Sequence, residues 1–219
     1  MLTDAELHQL FEKLQLPEVG RARVPFIRDN PPSRAVRTNK ASGKTRYAGI
    51  KMPFVVEAEA VSTEYAAIVE WDHDEETLEY YSQPQALKIA YLGPDRVRRI
   101  TTQTTPDYLR ITRSGIAFVE CKREEQLERL AKEQPGRYQR DHDGRWRSPP
   151  SVVAAAEFGC LFEIRSSAAN NWTLIENLEL LKDFTIGEPA EVDGSQPPPH
   201  AVAREEACGT AWREGANQA

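Results

Sequence analysis

Pro106-Asp107 and Glu120-Cys121-Lys122, with twelve residues between the two acids, hold two carboxylates and an ammonium that one short hairpin can bring together. The runs Tyr108–Thr112 and Ile116–Cys121 flank Arg113-Ser114-Gly115, a strand, turn and strand pattern. With the turn centred near Ser114, paired positions have numbers summing to about twice the centre, so Asp107 falls across from residues 120–122. Alternation along the strand puts Glu120 and Lys122 on one face and Cys121 on the other. The same strands carry Leu109, Ile111, Ile116, Phe118 and Val119, and isolated charges at the end of such core strands are costly unless they bind something. Mg²⁺ suits the pattern. It takes a few carboxylate oxygens and keeps several waters, leaving room for a phosphodiester and an attacking water that a lysine can orient. That is the chemistry of a metal-dependent nuclease. The plainer alternative is an Asp107–Lys122 salt bridge at a sheet end, with Glu120 in solvent.

The elements that must position these residues can be read along the chain. Thr3-x-x-Glu6 is a capping box ahead of Leu7, Leu10, Phe11 and Leu14 at helical spacing, so Thr3 to Leu16 reads as an amphipathic helix ended by Pro17. From Pro25 to about Lys44, Pro, Arg, Ser and Asn without periodicity read as a basic arm or loop. Tyr47 to Ala60 reads as extended. Ser62 or Thr63 can cap a helix through Glu64, Ile68, Val69 and Trp71 that stops in the acidic cluster from Asp72 to Glu76. Leu78–Gln83, Ala86–Leu92 and Arg96–Thr102 read as strands. After the hairpin come a charged helix from Arg123 to Gln134 and a basic loop from Arg137 to Pro150. An Ala-rich helix from Ser151 to Phe158, stopped by Gly159, and a strand Cys160–Arg165 follow. Asn171 to Phe184 reads as an amphipathic helix with Trp172, Ile175, Leu178 and Leu181 on one face. The fold class is therefore α/β with a mixed central sheet flanked by helices. Residues 1–46 read as an N-terminal helix and basic arm, 47–184 as the domain, and the Pro- and Gly-rich 185–219 as a disordered tail or linker.

Composition sets the outer limits. The 219 residues, 40% hydrophobic and 28% charged, suit one sizeable core and exclude collagen-like, coiled-coil and wholly disordered chains. No apolar run reaches the roughly 20 residues of a membrane helix, and the first residues lack a signal-peptide pattern, so a cytoplasmic, nucleoid-associated protein is expected. Cys121, Cys160 and Cys208 are far apart and odd in number, which fits free thiols. The net charge of −6 disguises blocks: residues 21–51 carry +8 and 96–150 carry +5, whereas 52–95 carry −9 and 151–219 carry −7. Basic blocks can meet phosphates, and Lys44, Arg46 and Lys51 are candidate DNA contacts, with a solvated loop as the alternative. Tyr65 and Trp71 read as core rather than base-stacking aromatics. His73 and His142 lack partners at ligand spacing and read as surface residues.

Four stretches carry a resemblance. They are Ser62-Thr63-Glu64-Tyr65, Leu78 to Gln83-Pro84 nineteen residues after that glutamate, Thr105-Pro106-Asp107-Tyr108-Leu109, and Phe118-Val119-Glu120-Cys121-Lys122. Phe162-Glu163-Ile164-Arg165, then Asn171-Trp172 and Glu176-Asn177-Leu178, resemble a closing strand and helix. From Tyr47 to Phe184 the chain resembles the N-terminal nuclease domain of the TnsA endonuclease family, the partner subunit of heteromeric cut-and-paste transposases. The resemblance implies a restriction-endonuclease-like PD-(D/E)xK fold. It implies Glu64, Asp107 and Glu120 as ligands of Mg²⁺, with Mn²⁺ as a substitute, Lys122 as the catalytic lysine, and Gln83 as an accessory residue. It further implies double-stranded DNA at transposon ends as substrate, hydrolysis of the 5′ strand during excision, and a DDE transposase subunit with an ATPase regulator as partners. The competing expectations are a stand-alone restriction or repair nuclease, and a catalytically silent DNA-binding or assembly module on the same scaffold.

Overall fold

The Thr3 hydroxyl accepts the Glu6 N–H at 3.3 Å while the Glu6 carboxylate accepts the Thr3 N–H at 2.7 Å, and this reciprocal cap starts helix α1, Asp4–Lys13. The computed structural model describes residues 1–34 and 45–186. Helix α2, Glu18–Asp29, runs where the composition suggested a loop from Pro25 onward. The helix tolerates Pro25 because its packing holds it: Val24 and Ile27 are buried, and Gly20 lets the backbone approach Phe158 so closely that a Cβ would meet the Phe158 carbonyl oxygen at 2.1 Å. The basic arm beyond Arg34, including Lys44, lies outside the described residues, as does 187–219.

Strands β1, Thr45–Tyr47, and β2, Val56–Ala58, form a short antiparallel ribbon. A π-helical turn, Val61–Tyr65, leads into α3, Ala66–His73. Neither Ser62 nor Thr63 caps it. Ala60 takes that position without a side-chain bond, and the Tyr65 N–H reaches back five residues to the Ala60 carbonyl at 3.1 Å. Next come β3, Thr77–Ser82; β4, Leu87–Leu92; β5, Arg99–Thr104; β6, Tyr108–Thr112; and β7, Ile116–Lys122. After these, α4, Glu124–Glu133, precedes a small hairpin of β8, Gln139–Arg140, and β9, Trp146–Arg147, inside the segment expected as a basic loop. Helix α5, Pro149–Ala156, then β10, Leu161–Ser166, and α6, Trp172–Ile186, complete the order. Gly159, at φ +68°, ends the passage from α5 to β10, a backbone conformation that glycine adopts without strain.

The central sheet has the order β10-β7-β6-β3 and is mixed: β3, β6 and β7 are antiparallel neighbours, and β10 joins β7 in parallel. A parallel pair needs a long crossover, which the segment from α4 to α5 supplies. Strands β4 and β5 form their own two-stranded sheet. One core joins Leu7, Phe11 and Val24 of the first two helices, Ile68 and Trp71 of α3, and the sheet residues Tyr80, Tyr108, Leu109 and Phe118. Contacts separate Met1–Phe184, which contains all of these elements but the end of α6, from Thr185–Ala219. Among the described side chains of α6 only Ile175 is fully buried, with Leu178 packed partly against the core. Trp172 and Leu181, expected on the same buried face, are exposed. Among the described residues no helix is long and apolar enough to cross a membrane.

Candidate active site

Tyr108 pairs with Val119 and Ile111 with Ile116, so the hairpin centre lies half a residue from Ser114 and Glu120 is the position that continues the ladder opposite Asp107. Asp107 is clamped between two strands by its backbone. Its N–H donates to the Val119 carbonyl at 2.9 Å, and its carbonyl accepts the Gln83 N–H at 2.7 Å. Its carboxylate accepts the Cys121 N–H at 2.7 Å. Lys122 Nζ stands 2.9 Å from Glu120 Oε1, on the face that strand alternation assigns to both. The lysine thus pairs with Glu120, which is buried, rather than with Asp107, and the plain salt-bridge alternative with a solvated Glu120 does not describe this site.

Glu64 enters from the π-helical turn, and its carboxylate accepts the Glu59 N–H at 2.8 Å. Single π turns recur at functional sites because they re-aim one side chain without breaking the helix. Glu64, Asp107 and Glu120 are 5%, 8% and 4% exposed. Burial pushes the Glu64 carboxyl up to about 7, and the charge of Asp107 adds to the rise. Burial likewise raises Asp107, to about 6, against the pull of the Lys122 ammonium and the Cys121 N–H. The two acids therefore feel each other across the end of the sheet.

Glu120 has its partners on one oxygen alone. Tyr138 donates to its Oε1 at 3.1 Å and Lys122 meets the same oxygen, while Oε2 is buried with no partner. A buried carboxylate oxygen left without a donor is costly, and a hard cation is one species that would satisfy it. The donor set thus fits Mg²⁺ in type: three oxygen-bearing acids at one end of a sheet, one with an orphan oxygen. Among the described residues no three Asp, Glu, His or Cys side chains stand close enough to share one ion as they are. Arg34 is part of the local arrangement. Its guanidinium donates to Gln83 Oε1, and Nη2 lies 3.9 Å from Asp107 Oδ1 and 3.8 Å from Glu59 Oε1.

Gln83 is buried and sits at φ +48°, a left-handed conformation that costs a non-glycine residue on the order of 1 kcal/mol. Hydrogen bonds on both sides hold it there: its N–H to Asp107, and its carbonyl to the Ser33 N–H at 2.8 Å. Arg34 and Tyr138 were not singled out from the sequence. Arg34 follows Pro31-Pro32-Ser33 in what reads as a basic arm, and Tyr138 lies in what reads as a basic loop, so neither segment's pattern marks them.

The candidate DNA contacts separate. Arg46 is exposed on β1, and Lys44 lies outside the described residues. The Lys51 ammonium is bonded to the carbonyls of Trp71 at 2.9 Å, Asp74 and Thr77 at 2.7 Å, so it ties the end of α3 to the sheet. Trp71 is core, edge-on to Tyr108, and Tyr65 donates to Glu179. His142 is exposed, whereas His73 is half-buried with Nδ1 on the Val69 carbonyl at 3.0 Å. Cys121 and Cys160 are buried free thiols, and Cys208 lies outside the described residues. No protein-family model matches the sequence, and no curated protein matches it.

Proposed function

We propose that this protein is a metal-dependent DNA endonuclease, with a PD-(D/E)xK core in which Glu64, Asp107 and Glu120 hold Mg²⁺ and Lys122 is the catalytic lysine. The observation that carries the reading is Glu120: one buried oxygen is fixed by Tyr138 and Lys122 and the other has no partner, on a strand ladder shared with Asp107. When bound, Mg²⁺ would lower the pKa of a bound water and offset charge on a phosphodiester. The chain's own residues supply the rest. Tyr138 holds the Glu120 carboxylate in one orientation, and the Cys121 N–H does the same for Asp107. Lys122 has three N–H donors and directs one at Glu120, which leaves others to orient an attacking water or a non-bridging phosphate oxygen. Gln83 locks the backbone of Asp107.

The sheet order, with an acid on the preceding helix and a parallel closing strand, supports the PD-(D/E)xK reading. The narrower role rests on the resemblance to the TnsA family: an endonuclease subunit that hydrolyses the 5′ strand at transposon ends beside a DDE transposase subunit and an ATPase regulator.

The test pairs cleavage with metal binding. Asp107→Ala and Lys122→Ala are expected to abolish Mg²⁺-dependent cutting of duplex DNA while thermal unfolding stays cooperative. Calorimetric Mn²⁺ titration in the presence of duplex DNA is expected to saturate in the wild type and vanish in Asp107→Ala. Normal cutting by both variants would overturn the proposal. DNA affinity that survives Asp107→Ala, with no metal binding or cutting in either protein, would instead support the silent DNA-binding module.

A further inference from the structure

Around the corner from the acid centre, Ser62, Arg123, Gln126, Arg129, Ser167 and Trp172 line a polar cleft of about 650 Å³. Chain continuity places it beside the site. Ser62 is two residues before Glu64 in the π-helical turn, and Arg123 directly follows Lys122. The walls are fixed by hydrogen bonds rather than loosely hung: Asn170 Nδ2 donates to the Ser62 carbonyl at 2.8 Å, and the Ser167 hydroxyl accepts the Glu124 N–H at 3.0 Å. Trp172 is 44% exposed, against 4% for Trp71 and 8% for Trp146. Leu174, Leu180 and Leu181 of the same helix are exposed as well, and what sets Trp172 apart is that its indole lines a cleft with two guanidinium groups and offers a flat face on which a base can stack.

The cations in the cleft are available. Arg123 and Arg129 are exposed, and the ion pair of Arg129 with Glu133 at 3.8 Å joins two exposed side chains, a kind of pair that is readily exchanged. One acid, Glu125, shares the lining, so two guanidinium groups face one carboxylate. Guanidinium forks match phosphate oxygens, Ser and Gln side chains bond adaptably, and an aromatic face stacks on any base. Helix α4 begins at this cleft, and its N-terminal end favours an anion, although Glu124 and Glu125 already occupy its first turn.

We infer that this cleft receives an unpaired nucleotide next to the scissile phosphodiester, its base on Trp172 and its phosphate on Arg123 and Arg129. The substrate class is then DNA with a frayed or single-stranded flank at the cut, read without base specificity. The inference rests on the nuclease reading above.

The experiment measures fluorescence anisotropy in EDTA, where no cutting occurs, with a labelled blunt duplex and the same duplex bearing a single-stranded extension. The wild type is expected to prefer the extended duplex. Trp172→Ala is expected to lose at least about fivefold of that affinity, the scale of one base stack, with blunt-duplex affinity and Mn²⁺ binding unchanged. Trp172→Phe keeps a ring and is expected to restore most of the preference. The Arg123→Ala, Arg129→Ala double variant is expected to flatten the salt dependence by about two phosphate contacts. No preference in the wild type, or a preference that Trp172→Ala leaves intact, overturns the inference and points to a protein surface on this cleft. If Asp107→Ala leaves cutting normal while the preference stands, the nuclease reading of the acid centre fails and the cleft survives as a nucleic-acid site.

Discussion

Four hydrogen bonds reach the buried carboxylate of Glu79, from the Leu2 N–H, Arg28 twice and the Tyr81 hydroxyl, and four reach that of Asp72, from Tyr47, Ile50, Lys51 and Tyr80. Among the described residues Glu64 and Asp107 each accept a single backbone N–H, and Glu120 leaves one oxygen bare. All five acids are buried, so burial alone does not mark a site. The difference is satisfaction. Glu79 ties the residues ahead of α1, and α2, to β3, and Asp72 ties β1 and the loop after it to α3; in both, folding itself uses every lone pair. At the sheet end, folding supplies too few donors, and the remaining capacity is left for a ligand.

The largest effect should come from breaking the satisfied network. Glu79→Ala leaves the buried Arg28 guanidinium with only the exposed Asp4 carboxylate, 3.9 Å from Nη1, and urea unfolding is expected to show a loss of about 3–5 kcal/mol. A loss under about 1 kcal/mol would mean that the two regions do not differ in the way described. Asp107→Asn should behave oppositely: stability is retained or slightly raised, because one of two mutually repelling carboxylates loses its charge. The Glu64 carboxyl, followed by carbon-13 NMR, should then titrate closer to its ordinary value of 4.5. An unchanged Glu64 titration would show that the two acids are not coupled.

The pH dependence has a definite sign. Glu64 and Asp107 hold their protons more tightly when folded, so at these two groups the folded state carries more protons than the unfolded chain between about pH 4 and about pH 7. The contribution of these two groups to stability is full below that window and is lost as the pH rises through it. Chemical unfolding of the metal-free protein should show this fall, the Glu64→Gln, Asp107→Asn double variant should lack it, and Mg²⁺ should oppose it. A wild type and double variant with the same pH profile would contradict the unsatisfied-acid description. The smallest effect is expected from Arg34→Met. Removing a guanidinium that lies 3.9 Å from Asp107 and 3.8 Å from Glu59 should tighten Mn²⁺ binding by up to about fivefold, the scale of a partly exposed ion pair worth up to about 1 kcal/mol. Weaker binding would make Arg34 a supporting residue rather than a competitor.

Parts of this contrast were legible in the residues. The Thr3-x-x-Glu6 cap, the hairpin read over Tyr108–Thr112 and Ile116–Cys121, and the mixed sheet all follow from local pattern and appear in the structure, where the second strand runs one residue further, to Lys122. The helix over Glu18–Asp29 did not, because Pro25 reads locally as a breaker and only packing of Val24 and Ile27 against the core overrides it. Lys51 reads as a candidate phosphate contact or as part of a solvated loop, and the carbonyls of Trp71, Asp74 and Thr77 claim its ammonium instead. At the candidate site, Asp107, Glu120 and Lys122 were legible as a group, but which acid Lys122 pairs with was not.

Hairpin register and side-chain alternation are properties of a few neighbouring residues, and from them the sequence by itself determined that Asp107 meets the Glu120 end of β7 and that Glu120 and Lys122 share a face. The tertiary structure decided the rest. It put Glu64 in the electrostatic field of Asp107, set Tyr138 against Glu120, drew Arg34 to the acids, and left Glu120 Oε2 bare. These contacts join segments far apart in the chain, where no periodicity carries information. They exist because helices and strands bury their apolar faces together, and the polar groups at the sheet end take the partners which that packing leaves them.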